Sequence, residues 1–142
     1  MGVNADARGG WALEYTIEYR KERTAFGKSI STFRALRQRI ADLASEVEMS
    51  KTFNYVTAKR LGDGEYVVKE ATMSKLLSTK IADTVATECV QFLGGYGYME
   101  EYPLARNLRD SRLGPIGGGT SDILREIITK MVIEVVNYKP AT

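Results

Sequence analysis

Ile116-Gly117-Gly118-Gly119-Thr120-Ser121-Asp122-Ile123 reads as a glycine-rich turn that opens a helix. A helix entered through such a turn aims unpaired backbone N–H groups and the positive end of its dipole at whatever lies above it, an arrangement that suits a phosphate-bearing ligand. No acid or base occupies the turn itself, so the segment is suited to holding a cofactor and not to performing proton transfer. Behind the turn, Ile123/Leu124, Ile127/Ile128, Met131/Val132 and Val135/Val136 recur at every fourth position. That broad apolar stripe predicts a helix from Ser121 to about Val136, buried against more than one neighbour. About eight large apolar side chains at roughly 1.5–3 kcal/mol each give on the order of 10–20 kcal/mol before entropy, so packing and not propensity fixes such a bundle.

Three further helices are predicted upstream. Ala5 to Arg23 carries Trp11, Tyr15 and Tyr19 at i+4 spacing, with Leu13 and Ile17 beside them. Its Gly9-Gly10 pair marks either close approach by another backbone, from a second subunit or a further domain, or a frayed end. Phe33, Leu36, Ile40, Leu43 and Val47 alternate three and four apart, the seam of a bundle helix that runs to about Arg60. Leu61-Gly62-Asp63-Gly64 is a turn, with glycine supplying the left-handed backbone that ends helices. The third helix, about Val67 to Leu93, places Met73, Leu77, Ile81, Val85, Cys89 and Phe92 on one side. Pro103 starts a short helix over Leu104 to Leu113. β-Branched residues fall at helical and not alternating spacing, so no strand is indicated. The fold class is all-α, with an antiparallel four-helix bundle as the simplest architecture.

Composition narrows the chemistry. At 142 residues the chain fits one domain that hides roughly two-thirds of its unfolded surface. A net charge of +2 selects no special partner, and Arg34, Arg37 and Arg39 form a solvated helix face and not a nucleic-acid footprint. One cysteine, Cys89, excludes an internal disulfide and a Cys-based zinc site. No apolar run is long enough to span a bilayer, and the default is a reducing intracellular compartment. The absence of histidine excludes Ser-His-Asp triads, His-bound metals and His acid–base pairs, which leaves carboxylates, Lys, Tyr or Cys89 for any proton transfer.

Individual motifs each have a plain reading. Gly94-Gly95-Tyr96-Gly97 follows a helix and lacks the third glycine of a dinucleotide fingerprint, since Glu100 stands there; it is better read as a helix C-cap. Gly114 to Thr120 lacks the lysine of a nucleotide-triphosphate loop, which Gly119 replaces. Arg23 near a helix C-terminus is favourable on dipole grounds alone, or it binds phosphate while Phe26 covers a flat ring. Arg106, Arg109, Asp110 and Arg112 read as a salt-bridged surface helix, and Tyr96, Tyr98 and Tyr102 as packing groups.

Order and spacing say more than any one motif. Arg23-x-x-Phe26-Gly27-Lys28, then Gln91-x-Leu93-Gly94-Gly95-x-Gly97-Tyr98, Glu101-Tyr102-Pro103, Arg109-Asp110 and Gly119-Thr120-Ser121-Asp122-Ile123 form a series that resembles the acyl-CoA dehydrogenase flavoproteins. The resemblance covers nearly the whole chain and matches the family's C-terminal helical domain. It implies that residues 1–142 are a FAD-contacting helical-bundle domain whose first helix is truncated at Met1, with the N-terminal helical and middle β-domains absent. It further implies FAD bound in a crevice shared between two subunits, a homo-oligomer (dimer or tetramer), acyl-CoA as substrate and electron-transfer flavoprotein as electron acceptor. Neither nucleic acid nor membrane is an expected partner, and the compartment is the cytoplasm, or the mitochondrial matrix in a eukaryote.

Residue by residue, the resemblance places Arg23, Ala25 and Phe26 near the pyrophosphate and adenine end of a neighbouring subunit's FAD. Arg34 stands where the family usually has Gln. Gln91, Phe92, Leu93, Gly94 and Gly95 match a cofactor-lining segment, Thr120 and Asp122 match helix-start positions that approach FAD, and Gly119 matches a substrate contact. Gly118 occupies the position where many members carry the catalytic Glu, which removes the acyl α-proton. In the long-chain and isovaleryl branch that position is Gly, and the Glu stands at the start of the domain's first helix, a few residues before Met1. No catalytic residue and no metal site is therefore assigned within the chain, which alone is expected to be inactive. A monooxygenase or oxidase of the same fold, or a structural bundle that oligomerises without ligand, are the alternatives.

Overall fold

The computed structural model describes residues 1–25 and 27–138. Its long helices are α1 (Gly2–Glu22), α2 (Arg34–Gly62) and α3 (Val68–Leu93), followed by the short α4 (Gly95–Tyr98) and α5 (Pro103–Ser111) and then by α6 (Ser121–Val132). The all-α reading holds. One small feature departs from it: β1 (Thr24–Ala25) and β2 (Lys28–Ser29) pair antiparallel around Gly27, which sits at φ +77°. Two residues per strand are too few to leave a period-2 pattern, so alternation could not reveal them.

Cross-helix contacts fix the directions. Asp6 meets Ser50 and Asn54, while Arg20 reaches Leu36, so α2 runs antiparallel to α1. Asn54 meets Ser78, and Arg39 pairs with Glu88, so α3 reverses again. α6 starts beside Lys75, and its trailing residue Tyr138 accepts a hydrogen bond from Tyr66 on the α2–α3 turn, which makes it antiparallel to α3. Alternating directions are what an up-and-down bundle requires. α3 is the hub and touches α1, α2, α4, α5 and α6.

The apolar core holds Ala12, Leu13, Leu43, Val47, Val85, Cys89, Phe92, Leu93 and Leu104. Leu43 and Val47 lie on the expected α2 seam, with Leu36 and Ile40 packed at its edge. On α3 only the second half follows the expected stripe. In the first half Leu77 is exposed, and the buried face is Lys75, Ser78 and Thr79. A polar seam replaces the core there. Asp6 accepts hydrogen bonds from Ser50 Oγ (2.6 Å) and from Asn54 Nδ2, which also donates to Ser78 Oγ (2.9 Å). Ser74 closes the chain by donating to Asn54 Oδ1.

Two expectations about α1 and α6 are corrected. Gly9 does mark a close approach by another backbone and not a frayed end, but that backbone is this chain's own α3, since a Cβ there would meet Ala82 Cα at 3.8 Å and Val47 at 3.7 Å. α6 ends at Val132 and not near Val136, with Val135 at φ +56° beyond it. Its stripe is mostly uncovered: Leu124 is buried and Ile127, Ile128 and Met131 are half-buried, but Ile123, Val132, Val135 and Val136 are exposed. The broad pattern had implied several neighbours, and within the chain α3 supplies one.

Candidate cofactor and substrate-contact surface

The assigned positions gather at two places on α3. At its C-terminal end, Gln91 and Phe92 share a groove of about 500 Å³ with Ala25, Ile30, Phe33, Ala35, Leu36 and Arg39. Gly94 caps α3 at φ +61°, ψ −132°, a backbone open to glycine, and its N–H bonds back to Val90 and Gln91. A Cβ at Gly94 or Gly95 would meet nothing within 4 Å, so both present bare backbone to an approaching group. Leu93 is buried and supports the cap from within. Arg23 leaves the end of α1 and lies 5.3 Å from the Tyr96 ring. Arg34, at the start of α2, is exposed beside the groove residue Phe33. Phe26 lies outside the described residues.

The walls of this groove suit a nucleotide. Ile30, Phe33, Leu36 and Phe92 offer apolar surface for a flat ring, and Arg39 supplies a cation among them. Arg20, a residue that sequence reasoning passed over, lies directly beneath. It is 1% exposed, donates to the Ile30 carbonyl at 2.9 Å and to the Leu36 carbonyl at 3.5 Å, and its buried Nε has no partner among the described residues. Burial pushes the Arg20 pKa down, because desolvation disfavours the cation. Apolar walls with Arg39 among them, over a buried guanidinium that no carboxylate pairs with among the described residues, fit FAD's adenine and pyrophosphate. The signal was present in the sequence: Ala12, Thr16 and Arg20 follow one another at i+4, which puts Arg20 on the buried stripe.

The second place is the turn before α6. Gly118 and Gly119 adopt φ +64° and φ +95°, which explains why glycines stand there. Lys75, buried on α3, donates to the Gly119 carbonyl and ties the turn to the bundle, while burial pushes its pKa down. The helix start is partly self-satisfied: Ser121 N–H bonds Pro115 O at 3.0 Å, Ile123 N–H bonds Thr120 Oγ1 at 3.4 Å and Leu124 N–H bonds Thr120 O at 3.0 Å. Thr120 therefore acts as the N-cap. Asp122 is exposed and paired with Arg125 at 2.6 Å. A Cβ on Gly118 would lie 2.9 Å from Met1 Sδ, so the beginning of α1 abuts the turn.

Lys75 and Gln91 are sixteen residues apart on one helix, about 24 Å at 1.5 Å per residue. The structure thus unites Ala25, Gln91 and Phe92, keeps Arg23, Arg34, Leu93, Gly94 and Gly95 around them, and holds Gly118, Gly119, Thr120 and Asp122 apart. The surface ion pairs read from the sequence are present with partners outside α5: Arg109 with Glu100, Arg112 with Asp83, and Asp110 with Arg8. Among the described residues no acidic, Cys or His group forms a metal-binding set, and no helix is long and apolar enough to cross a membrane.

The family model for the acyl-CoA dehydrogenase C-terminal domain matches residues 2–133. The mitochondrial short/branched chain specific acyl-CoA dehydrogenase of Bos taurus is 34% identical over 120 residues, which cover 84% of this chain and 28% of that protein. An acyl-CoA dehydrogenase structure from Geobacillus kaustophilus superposes with a TM-score of 0.89 at 36% identity, over 91% of this chain and 34% of the other. A FAD complex of PigA does so at 0.83 and 31% identity, over 87% and 32%. The chain spans about a third or less of these relatives, and it belongs to the acyl-CoA dehydrogenase C-terminal domain family.

Proposed function

We propose that this chain is the FAD-contacting and oligomerisation domain of a flavin-dependent acyl-CoA dehydrogenase, in a subunit completed by an N-terminal helical domain and a middle β-domain. The observation that carries the reading is the separation of two open walls along α3. The nucleotide groove at one end and the Gly118–Asp122 turn at the other are each one side of a crevice, as expected where a cofactor is shared between subunits of a homodimer or tetramer. Exposed apolar residues on α6 supply surface for such assembly.

Arg23, Ala25, Phe26, Arg34 and Gln91 to Gly95 would hold the nucleotide half of FAD, with Thr120 and Asp122 approaching it from the second wall and Gly119 touching the acyl thioester. The chemistry FAD supplies when bound is two-electron oxidation of the acyl Cα–Cβ bond, hydride leaving Cβ as a carboxylate takes the proton from Cα, with the electrons passed on to electron-transfer flavoprotein. Residues of this chain orient and exclude water. Gly118 has no side chain to hold that proton. Met1 lies against this turn, so the start of α1 forms part of the second wall.

The test uses the flavin-loaded parent subunit under anaerobic conditions with a panel of acyl-CoA thioesters. Loss of the flavin's visible absorbance on mixing is the expected outcome. If no thioester bleaches it and the chemically reduced flavin reacts rapidly with oxygen, the protein is an oxidase or monooxygenase of this fold and the dehydrogenase reading falls.

A further inference from the structure

Two guanidinium groups lie over one aromatic ring at the floor of the groove. The Cζ of Arg20 is 5.2 Å from the Phe92 centroid and that of Arg39 is 5.0 Å. Their surroundings differ. Arg39 lines the groove with its side chain 45% exposed, and it pairs with Glu88. Arg20 is sealed beneath, and among the described residues no carboxylate pairs with it; its donors go to two neutral carbonyls, and Nε goes to none. Two cations thus face one carboxylate. A buried guanidinium without a counter-ion is costly, and the cost falls when an anion arrives nearby.

The two arginines also do separate mechanical work. By holding the carbonyls of Ile30 and Leu36, Arg20 ties the segment after the hairpin to the first turn of α2. Ile30 and Leu36 are themselves groove walls, and Phe92 is the floor between them. Arg39 stands one turn beyond Leu36 on α2 and lines the groove. A neutral ring would leave the excess charge unanswered, and a bare anion would leave four apolar walls uncovered. An aromatic base joined to phosphate answers both.

We propose that Arg39 is a further cofactor-contacting residue, reaching the phosphate-bearing nucleotide half of FAD, and that Arg20 is the positioning residue that holds the groove in shape. The inference rests on the flavin-domain reading above. It is tested on this chain by amide NMR titration with ADP, and with inorganic pyrophosphate as the ringless control.

ADP is expected to shift the Ala25, Gln91, Phe92 and Gly94 amides more strongly than pyrophosphate does. Arg39→Ala should weaken ADP about fivefold, the size of one partly exposed charge-assisted contact, with Arg39→Lys recovering part of the loss. Arg20→Lys keeps the charge but loses the fork. It should shift the Ile30 and Leu36 amides without ligand and weaken ADP several-fold with little change in Tm, which separates a groove defect from a folding defect. If ADP shifts residues 91–95 but Arg39→Ala binds it as wild type does, the role of Arg39 is overturned while the flavin reading stands. Unchanged ADP affinity in Arg20→Lys overturns the positioning role. If ADP shifts none of the groove amides, the proposal and the nucleotide reading of the groove fall together.

Discussion

A methyl group at position 97 would run into the Val90 carbonyl oxygen and stand 2.9 Å from Val90 Cα. Both are backbone atoms of α3, so neither can swing aside. Gly97→Ala should therefore lower stability by about 1–3 kcal/mol through overpacking, read as a fall in Tm. Gly62→Ala makes the contrast: the glycine is in α2, and a Cβ there meets nothing within 4 Å. It should raise stability by up to about 1 kcal/mol, the helix-propensity difference. Equal effects at the two sites would show that packing at the α3–α4 corner does not matter. The same residue type is demanded by a close approach at one position and merely tolerated at the other. At the groove, side chains that a motif search does not weigh do comparable work. Arg20 and Lys75 are cations placed where apolar residues are the rule, and each reaches a backbone carbonyl that shapes a candidate site.

Among the elements, the first half of α3 meets α1 and α2 through a seam of hydrogen bonds. Asp6 is the acceptor on which Ser50 and Asn54 converge. Asp6→Ala leaves the Ser50 hydroxyl and one of the two Asn54 Nδ2 protons buried and unanswered, so a loss of about 1–3 kcal/mol is expected in denaturant unfolding. Asp6→Asn retains an acceptor and should lose less; a larger loss for Asn than for Ala would contradict this account of the seam. The second half of α3 behaves differently, with Val85, Cys89 and Phe92 forming an ordinary core. α6 is a third case. Its apolar stripe is complete in sequence and largely exposed in the folded chain, so packing among the described residues does not account for its pattern.

For the whole molecule, two buried groups contribute to alkaline stability with opposite signs. Burial pushes the Cys89 thiol pKa up, so between the ordinary thiol range and its raised value the folded state holds a proton that the unfolded state has lost. Stability is full below that range and falls as pH rises through it. Burial pushes the Lys75 pKa down, so the unfolded state holds the extra proton and stability rises through that window. Tm measured from neutral to alkaline pH should decline less steeply in Cys89→Ala and more steeply in Lys75→Met than in wild type, whatever their offsets at neutrality. Parallel curves would mean that neither group is as desolvated as its burial implies. The order of the long helices, the cap at Gly94 and the family were legible in the chain, because periodicity and turn chemistry are local and the motif order is linear; the four-residue α4 was not expected, and α2 runs on through Gly62 to a turn whose left-handed residue is Gly64. The direction of the Arg20 fork, the polar seam around Asp6, the two-residue hairpin and the division of the candidate site between the ends of α3 were decided by tertiary structure. Those features depend on which helix faces meet, and residues such as Arg20 and Leu36, or Lys75 and Gly119, become neighbours only when α1 and α6 dock on the bundle.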